Sequence, residues 1–138
     1  MHHRLVAVGL ALVLALVLAS CGGDDDGGGN AVASENAASV YVTTGCGDEV
    51  VVERTDVEAG ATGLQALDQV AEIEADGGFV TEIEGVEQNA DEQLAWLVYV
   101  NGAMAEVGAA EITVAEGDVH WWDLHDWEET CEVPADAQ

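Results

Sequence analysis

Hydrophobic and polar positions change period several times along this chain, and each change marks an expected element. "SVYVTT" and "VVVERTDV" are rich in β-branched residues and predict strands over Val40–Thr44 and Val50–Val57. Gly45 and Gly47 lie between them and suit a hairpin with a longer loop. In "ATGLQALDQVAEIEADGG" the period lengthens. Leu64, Leu67, Val70 and Ala71 fall on one helical face, Thr62 and Gln65 have the form of a capping box, and Gly77-Gly78 makes a stop. One amphipathic helix over Gly63–Ala75 is expected. "FVTEIEGVE" reads as extended and "QNADEQ" as a polar loop.

"LAWLVYV" (Leu94–Val100) carries strand formers on both faces, so cover is expected on both sides. Asn101-Gly102 follows at once, a strong hairpin signal because both central residues of the favoured turn need positive φ. "AMAEVGAAEITV" is the expected return segment, kinked at Gly108. "AEGD" is the last turn and "VHWWDL" the last strand. Two strands, one helix and then three or four strands predict an α+β fold, with one helix packed on a mostly antiparallel sheet in a small β-grasp-like domain.

The N-terminal residues stand apart. Arg4 precedes an apolar run from Leu5 to Leu18, and "LASC" leads to Cys21. The run is short for a membrane span, and its layout is that of a secretory signal over residues 1–20. The small-small-Cys ending is similar to a bacterial lipoprotein signal, which implies that Cys21 becomes the first mature residue and carries lipid. Residues 21–39 are rich in Gly and Asp and read as a flexible tether. The folded domain is expected over residues 40–134, with residues 135–138 as a disordered tail.

Charge narrows the partners. The sequence has 28 acidic residues and two basic ones, Arg4 and Arg54, for a net charge of −26. Nucleic acid and anionic lipid are therefore poor partners. The acidic excess reads as adaptation to high salt, with attraction for a cationic partner as the alternative. With Cys21 assigned to lipid, Cys46 and Cys131 form an even pair in an oxidising compartment, so a Cys46–Cys131 disulfide is expected.

The densest chemistry lies in "HWWDLHDW", residues 120–127. Strand alternation places Trp121, Asp123 and His125 on one face, and His120, Trp122, Leu124 and Asp126 on the other. One of Trp121 and Trp122 is expected in the core under the helix bearing Leu64 and Leu67. The other is expected on the helix-free face with Trp96 or Tyr99, and with Trp127 nearby, as an aromatic platform for a ligand. His120, Asp123, His125 and Asp126 are the weak candidates for a metal, but alternation divides them between faces, so no shared metal site is expected. No G-x-S-x-G, H-E-x-x-H or phosphate-binding loop occurs, and catalysis is not expected.

Taken together, "GGFVTEIEGVE" and "WLVYVNGAMAEVGAAEITVAEGDVHWWDLHDW" resemble the transcobalamin-like C-terminal domain family over about residues 40–127. The resemblance implies a small β-grasp-like domain, often carried by bacterial lipoproteins. In the vitamin B12 carriers the equivalent domain is one of two that enclose the corrinoid. The large helical partner of those carriers is not legible in these residues. The resulting expectation is a lipid-anchored extracytoplasmic, non-catalytic binding module that captures a small, corrinoid-like ligand for a membrane uptake system. The alternatives are a surface protein-interaction module and, more weakly, metal capture.

Overall fold

The computed structural model describes residues 37–138. The signal, Cys21 and nearly all of the tether therefore lie outside the described residues. Strand β1 (Ala37–Thr44) opens the domain and β2 (Glu49–Glu58) returns antiparallel to it. Strand β8 (Val119–Asp126) pairs in parallel with β1, Ser39 opposite Val119 and Thr44 opposite Leu124. Strand β6 (Leu94–Val100) runs antiparallel along the other side of β8, and the short β7 (Ala103–Met104) closes that edge. The order is β2-β1-β8-β6-β7, with the first and last long strands parallel neighbours at the centre. This is a sheet-dominated α+β domain, as expected, and its strand order is that of a β-grasp.

The helix is shorter than its hydrophobic period suggested. Helix α1 covers only Gly63–Asp68. Its capping box is present: Gln65 N donates to Thr62 Oγ1 at 3.2 Å and Thr62 N to Gln65 Oε1 at 3.0 Å. Residues 73–75, expected to continue the helix, instead belong to β3 (Ile73–Asp76), which pairs with β4 (Phe79–Ile83), followed by β5 (Val86–Glu87) in a second, three-stranded sheet. Gly77 and Gly78 have φ of 59° and 87°, the geometry of a two-residue hairpin turn. The glycine pair that looked like a helix stop is thus the turn of a hairpin, and that hairpin takes the preceding residues into a ladder.

The return after Asn101-Gly102 also departs from expectation. Only Ala103 and Met104 pair with β6. The chain from there to Val114 turns instead to the start of α1, where Gly63 N donates to Ile112 O at 2.9 Å and Leu64 N to Ala109 O at 3.1 Å. A helix start carries N–H groups without intrahelical partners, and this loop supplies the acceptors. Gly63 permits the approach, since a Cβ there would lie 3.1 Å from Ala109 O.

Two cores lie on opposite faces of the large sheet. On the helix side Val40, Val42, Trp96, Val98, Trp122 and Leu124 pack with Ala66 and Leu67 of α1 and with Val80 and Ile83 of the small sheet. On the other side Tyr41, Tyr99 and Trp121 pack with Cys131 and Ala137. The helix-free face is therefore closed by the chain's own C-terminal segment. A single 3-10 turn at Ala135–Ala137 ends it, with Ala137 buried, so residues 135–138, expected as a disordered tail, are folded against the sheet. Three contacts hold the segment. Cys46 and Cys131 form a disulfide with Cα atoms 5.2 Å apart, Arg54 Nη1 donates to Asp136 O at 3.0 Å, and Pro134 packs on Gly47.

Candidate ligand-binding site and a buried polar centre

The closure of that face corrects the expected aromatic platform. Trp121 and Trp122 are both buried, and so are Trp96 and Tyr99. Tyr99 and Trp121 stack at 4.7 Å between ring centroids, beneath the C-terminal segment rather than facing solvent. Trp127 alone of the five is exposed, at 45%. The physical reason is the last twelve residues: tied down by the disulfide, they cover an aromatic surface that a five-stranded sheet with one short helix would otherwise leave bare.

Open surface lies instead beside the small sheet. A cleft of about 620 Å³ is walled by Val50, Val51, Val86, Leu94 and Leu124, with Glu49, Asp126 and Glu129 among the residues lining it. Val50 is half exposed there. A separate cavity of about 110 Å³ has Val80, Trp96, Val98 and Trp122 in its walls. Around it stand Phe79, Met104 and Val107, exposed at 67%, 56% and 52%. Trp96 donates its indole N–H to Val86 O at 3.0 Å. The indole N–H of Trp122 is buried and has no acceptor among the described residues. Both concavities draw walls from the small sheet, Val86 in the first and Phe79 and Val80 in the second, and where that sheet packs against the large one is a tertiary relation. That is why the sequence did not reveal them.

The four weak metal candidates separate as alternation required. His120 is fully buried on the helix side, its Nε2 3.7 Å from Asp118 Oδ2 and its ring nitrogens without a hydrogen-bond partner among the described residues. Burial pushes its imidazole below the ordinary histidine value, against the pull of Asp118. Asp126 lies at the cleft. Asp123 and His125 meet on the opposite face, under the disulfide.

Asp123 is the centre of a satisfied buried network. Its Oδ1 accepts from Cys46 N at 2.9 Å and from His125 Nδ1 at 2.8 Å; its Oδ2 accepts from Gly47 N at 3.0 Å and from Thr43 Oγ1. Trp121 Nε1 in turn donates to Thr43 Oγ1 at 2.7 Å. Gly45, Cys46 and Gly47 all have positive φ, at 65°, 61° and 90°, and the turn aims two successive N–H groups at one carboxylate, as an anion-binding nest does. Burial alone would raise the Asp123 carboxyl. The donors from His125, Thr43, Cys46 and Gly47 outweigh it and hold the group below the usual carboxylate range. With the His125 proton on Nδ1, Nε2 accepts from the Tyr99 hydroxyl at 3.3 Å. Burial, and then the charge of Asp123, raise the Tyr99 phenol, which keeps it a donor. The sequence reading grouped Asp123 with His125 but did not bring Cys46 and Cys131 to them; "GCG" was the only available signal.

Comparison places this architecture among known folds. Residues 60–126 match a family described as a domain of unknown function (DUF4430). A crystal structure from Ruminococcus gnavus ATCC 29149, titled as a candidate metal binding protein, superposes with a TM-score of 0.52 at 18% identity, over 67% of this chain and 98% of that one. Haptocorrin in complex with Cbi superposes with a TM-score of 0.50 at 17% identity, over 68% of this chain and 26% of its own. The chain thus spans about a quarter of that haptocorrin, and at these identities the likeness is one of fold. No curated protein sequence matches the chain.

Proposed function

We propose that this chain is a non-catalytic extracytoplasmic binding module, held to the membrane by lipid on Cys21, that captures a small ligand for a membrane uptake system. The observation that carries the reading is the cleft. Its volume of about 620 Å³ lies in the range of small-molecule sites. Apolar walls beside Glu49, Asp126 and Glu129 suit a ligand with an apolar ring body and amide or ammonium groups at its edge. Haptocorrin's complex with Cbi makes a corrinoid-like ring the first candidate. The disulfide suits an oxidising, extracytoplasmic compartment. His125 lines the cleft but is tied on both ring nitrogens, which supports a wall rather than a proton shuttle.

The test is mass spectrometry of small molecules retained by the purified chain, with calorimetric titration of a corrinoid. A Val50→Asp variant should lose binding without a change in melting temperature, since Val50 is half exposed. No retained molecule and no corrinoid binding would remove the reading. The second reading, a docking surface for a surface protein, rests on Phe79, Met104 and Val107. They ring a cavity too small for a corrinoid but of the size of one apolar side chain. Loss of a cross-linked protein partner in Phe79→Ser would favour it.

A further inference from the structure

Cys46, Asp123, His125 and Cys131 each offer one ligand atom, and these atoms all lie within 4.8 Å of one another. The geometry points to a redox-gated metal site: once the Cys46–Cys131 disulfide is opened, its two thiolates join His125 and Asp123 in a four-ligand centre for a borderline-soft divalent cation such as Zn²⁺. This goes beyond ligand capture in the cleft and does not depend on it.

Donor chemistry, spacing and charge agree. Two thiolates, an imidazole and a carboxylate are all ligands that zinc takes in tetrahedral sites. Bonds of about 2.0–2.3 Å place tetrahedral ligands about 3.3–3.8 Å apart, so side-chain adjustment within the present cluster suffices. The ion would take the place of the proton between His125 Nδ1 and Asp123 Oδ1, 2.8 Å apart; that proton moves to Nε2, and the neutral imidazole then donates to the Tyr99 hydroxyl oxygen. Two thiolates beside the ionised Asp123 would crowd three negative charges into a buried space, and a divalent cation offsets that repulsion. The outer support exists already: Thr43 and Gly47 N hold Asp123 Oδ2, and Tyr99 faces His125. Such partners orient ligands in metal sites. The cleft reaches Gly45 and His125 at the border of the cluster.

The chemistry balances with an external dithiol or phosphine reductant. It delivers two electrons to the S–S bond, two protons complete the thiols, and the reductant is oxidised. Binding of the ion then releases both thiol protons. In the oxidised chain the sulfur atoms are bonded to each other and the centre is closed.

The test uses Co²⁺ titrated into the full chain after anaerobic phosphine reduction, with near-ultraviolet dichroism of the buried tryptophans as the fold readout. Expected are sulfur-to-cobalt charge-transfer absorption, tetrahedral visible bands at one ion per chain, displacement by Zn²⁺, and no bands in the oxidised chain. His125→Asn should weaken Co²⁺ binding at least tenfold, and Cys46→Ser, which leaves Cys131 as the single sulfur ligand, should cut the charge-transfer intensity by about half. If reduction unfolds the chain, Co²⁺ or Zn²⁺ should restore the dichroism. A reduced chain without bands, a metal that fails to restore the fold, equal binding by the oxidised chain, or an undiminished affinity in His125→Asn would each overturn the proposal.

Discussion

Gly47 lies so close to Pro134 that a Cβ built on it would come within 2.8 Å of the proline Cγ. A loop after the first strand and a turn near the C-terminus are thus fitted to each other, above the carboxylate of Asp123.

Gly47→Ala should therefore destabilise through two separable terms. The left-handed backbone costs about 1 kcal/mol for a residue with a Cβ. The collision with Pro134 adds to it. Gly60 has nearly the same φ, 92°, but nothing within 4 Å of its position, so Gly60→Ala carries the backbone term alone. Urea unfolding should show Gly47→Ala losing more than Gly60→Ala. Equal losses would mean that the C-terminal segment does not rest on this loop.

Trp121→Ala and Trp122→Ala should each cost about 3–5 kcal/mol, because both rings are buried in cores on opposite faces. Trp127→Ala should stay within about 0.5 kcal/mol, as an exposed substitution does. Equilibrium denaturation of the three variants checks this; a tolerant Trp121→Ala would show that the C-terminal cover is not formed.

Acid should weaken the fold in two windows. The His120 imidazole sits below its ordinary value of 6.5, so the unfolded chain takes up that proton first as pH falls. Stability from this residue is complete above about 6.5 and is lost below it, down to the lowered folded value. The carboxyls of Asp118 and Asp123 are held below 3.8, although burial opposes this; their contribution is present above that value and goes as pH falls further. His120→Leu should flatten the upper window of a stability-against-pH curve and leave the lower one. An unchanged upper window would remove His120 as its origin.

Salt should raise the melting temperature. The mature chain expected from Cys21 onward carries 28 carboxylate side chains against one basic side chain, Arg54, and compact like charge repels itself. Screening lengths shorten from about 10 Å at 0.1 M to about 3 Å at 1 M. Thermal unfolding at the two ionic strengths checks the expectation; a flat or falling response would contradict haloadaptation.

Local signals carried much of the fold. Residues Leu94–Val100, the Asn101-Gly102 turn, the Thr62–Gln65 capping box and the disulfide partners were legible because each depends on near neighbours or on cysteine pairing alone. So was the division of His120 from Asp123 and His125, since strand alternation needs no tertiary information. What tertiary structure decided was cover. Residues 73–75 had helical spacing, yet a ladder with Phe79–Ile83 offered their backbone and apolar side chains partners that a longer helix would not. The helix-free face, with one of Trp121 and Trp122 on it, looked exposed because nothing in the residues after Trp127 has the period of an element. Trp121 is buried because the C-terminal segment is fastened over it, Cys131 to Cys46, Pro134 to Gly47 and Asp136 to Arg54, pairs 82–87 positions apart in the chain. Such contacts form only when the central parallel strands bring both ends of the domain together.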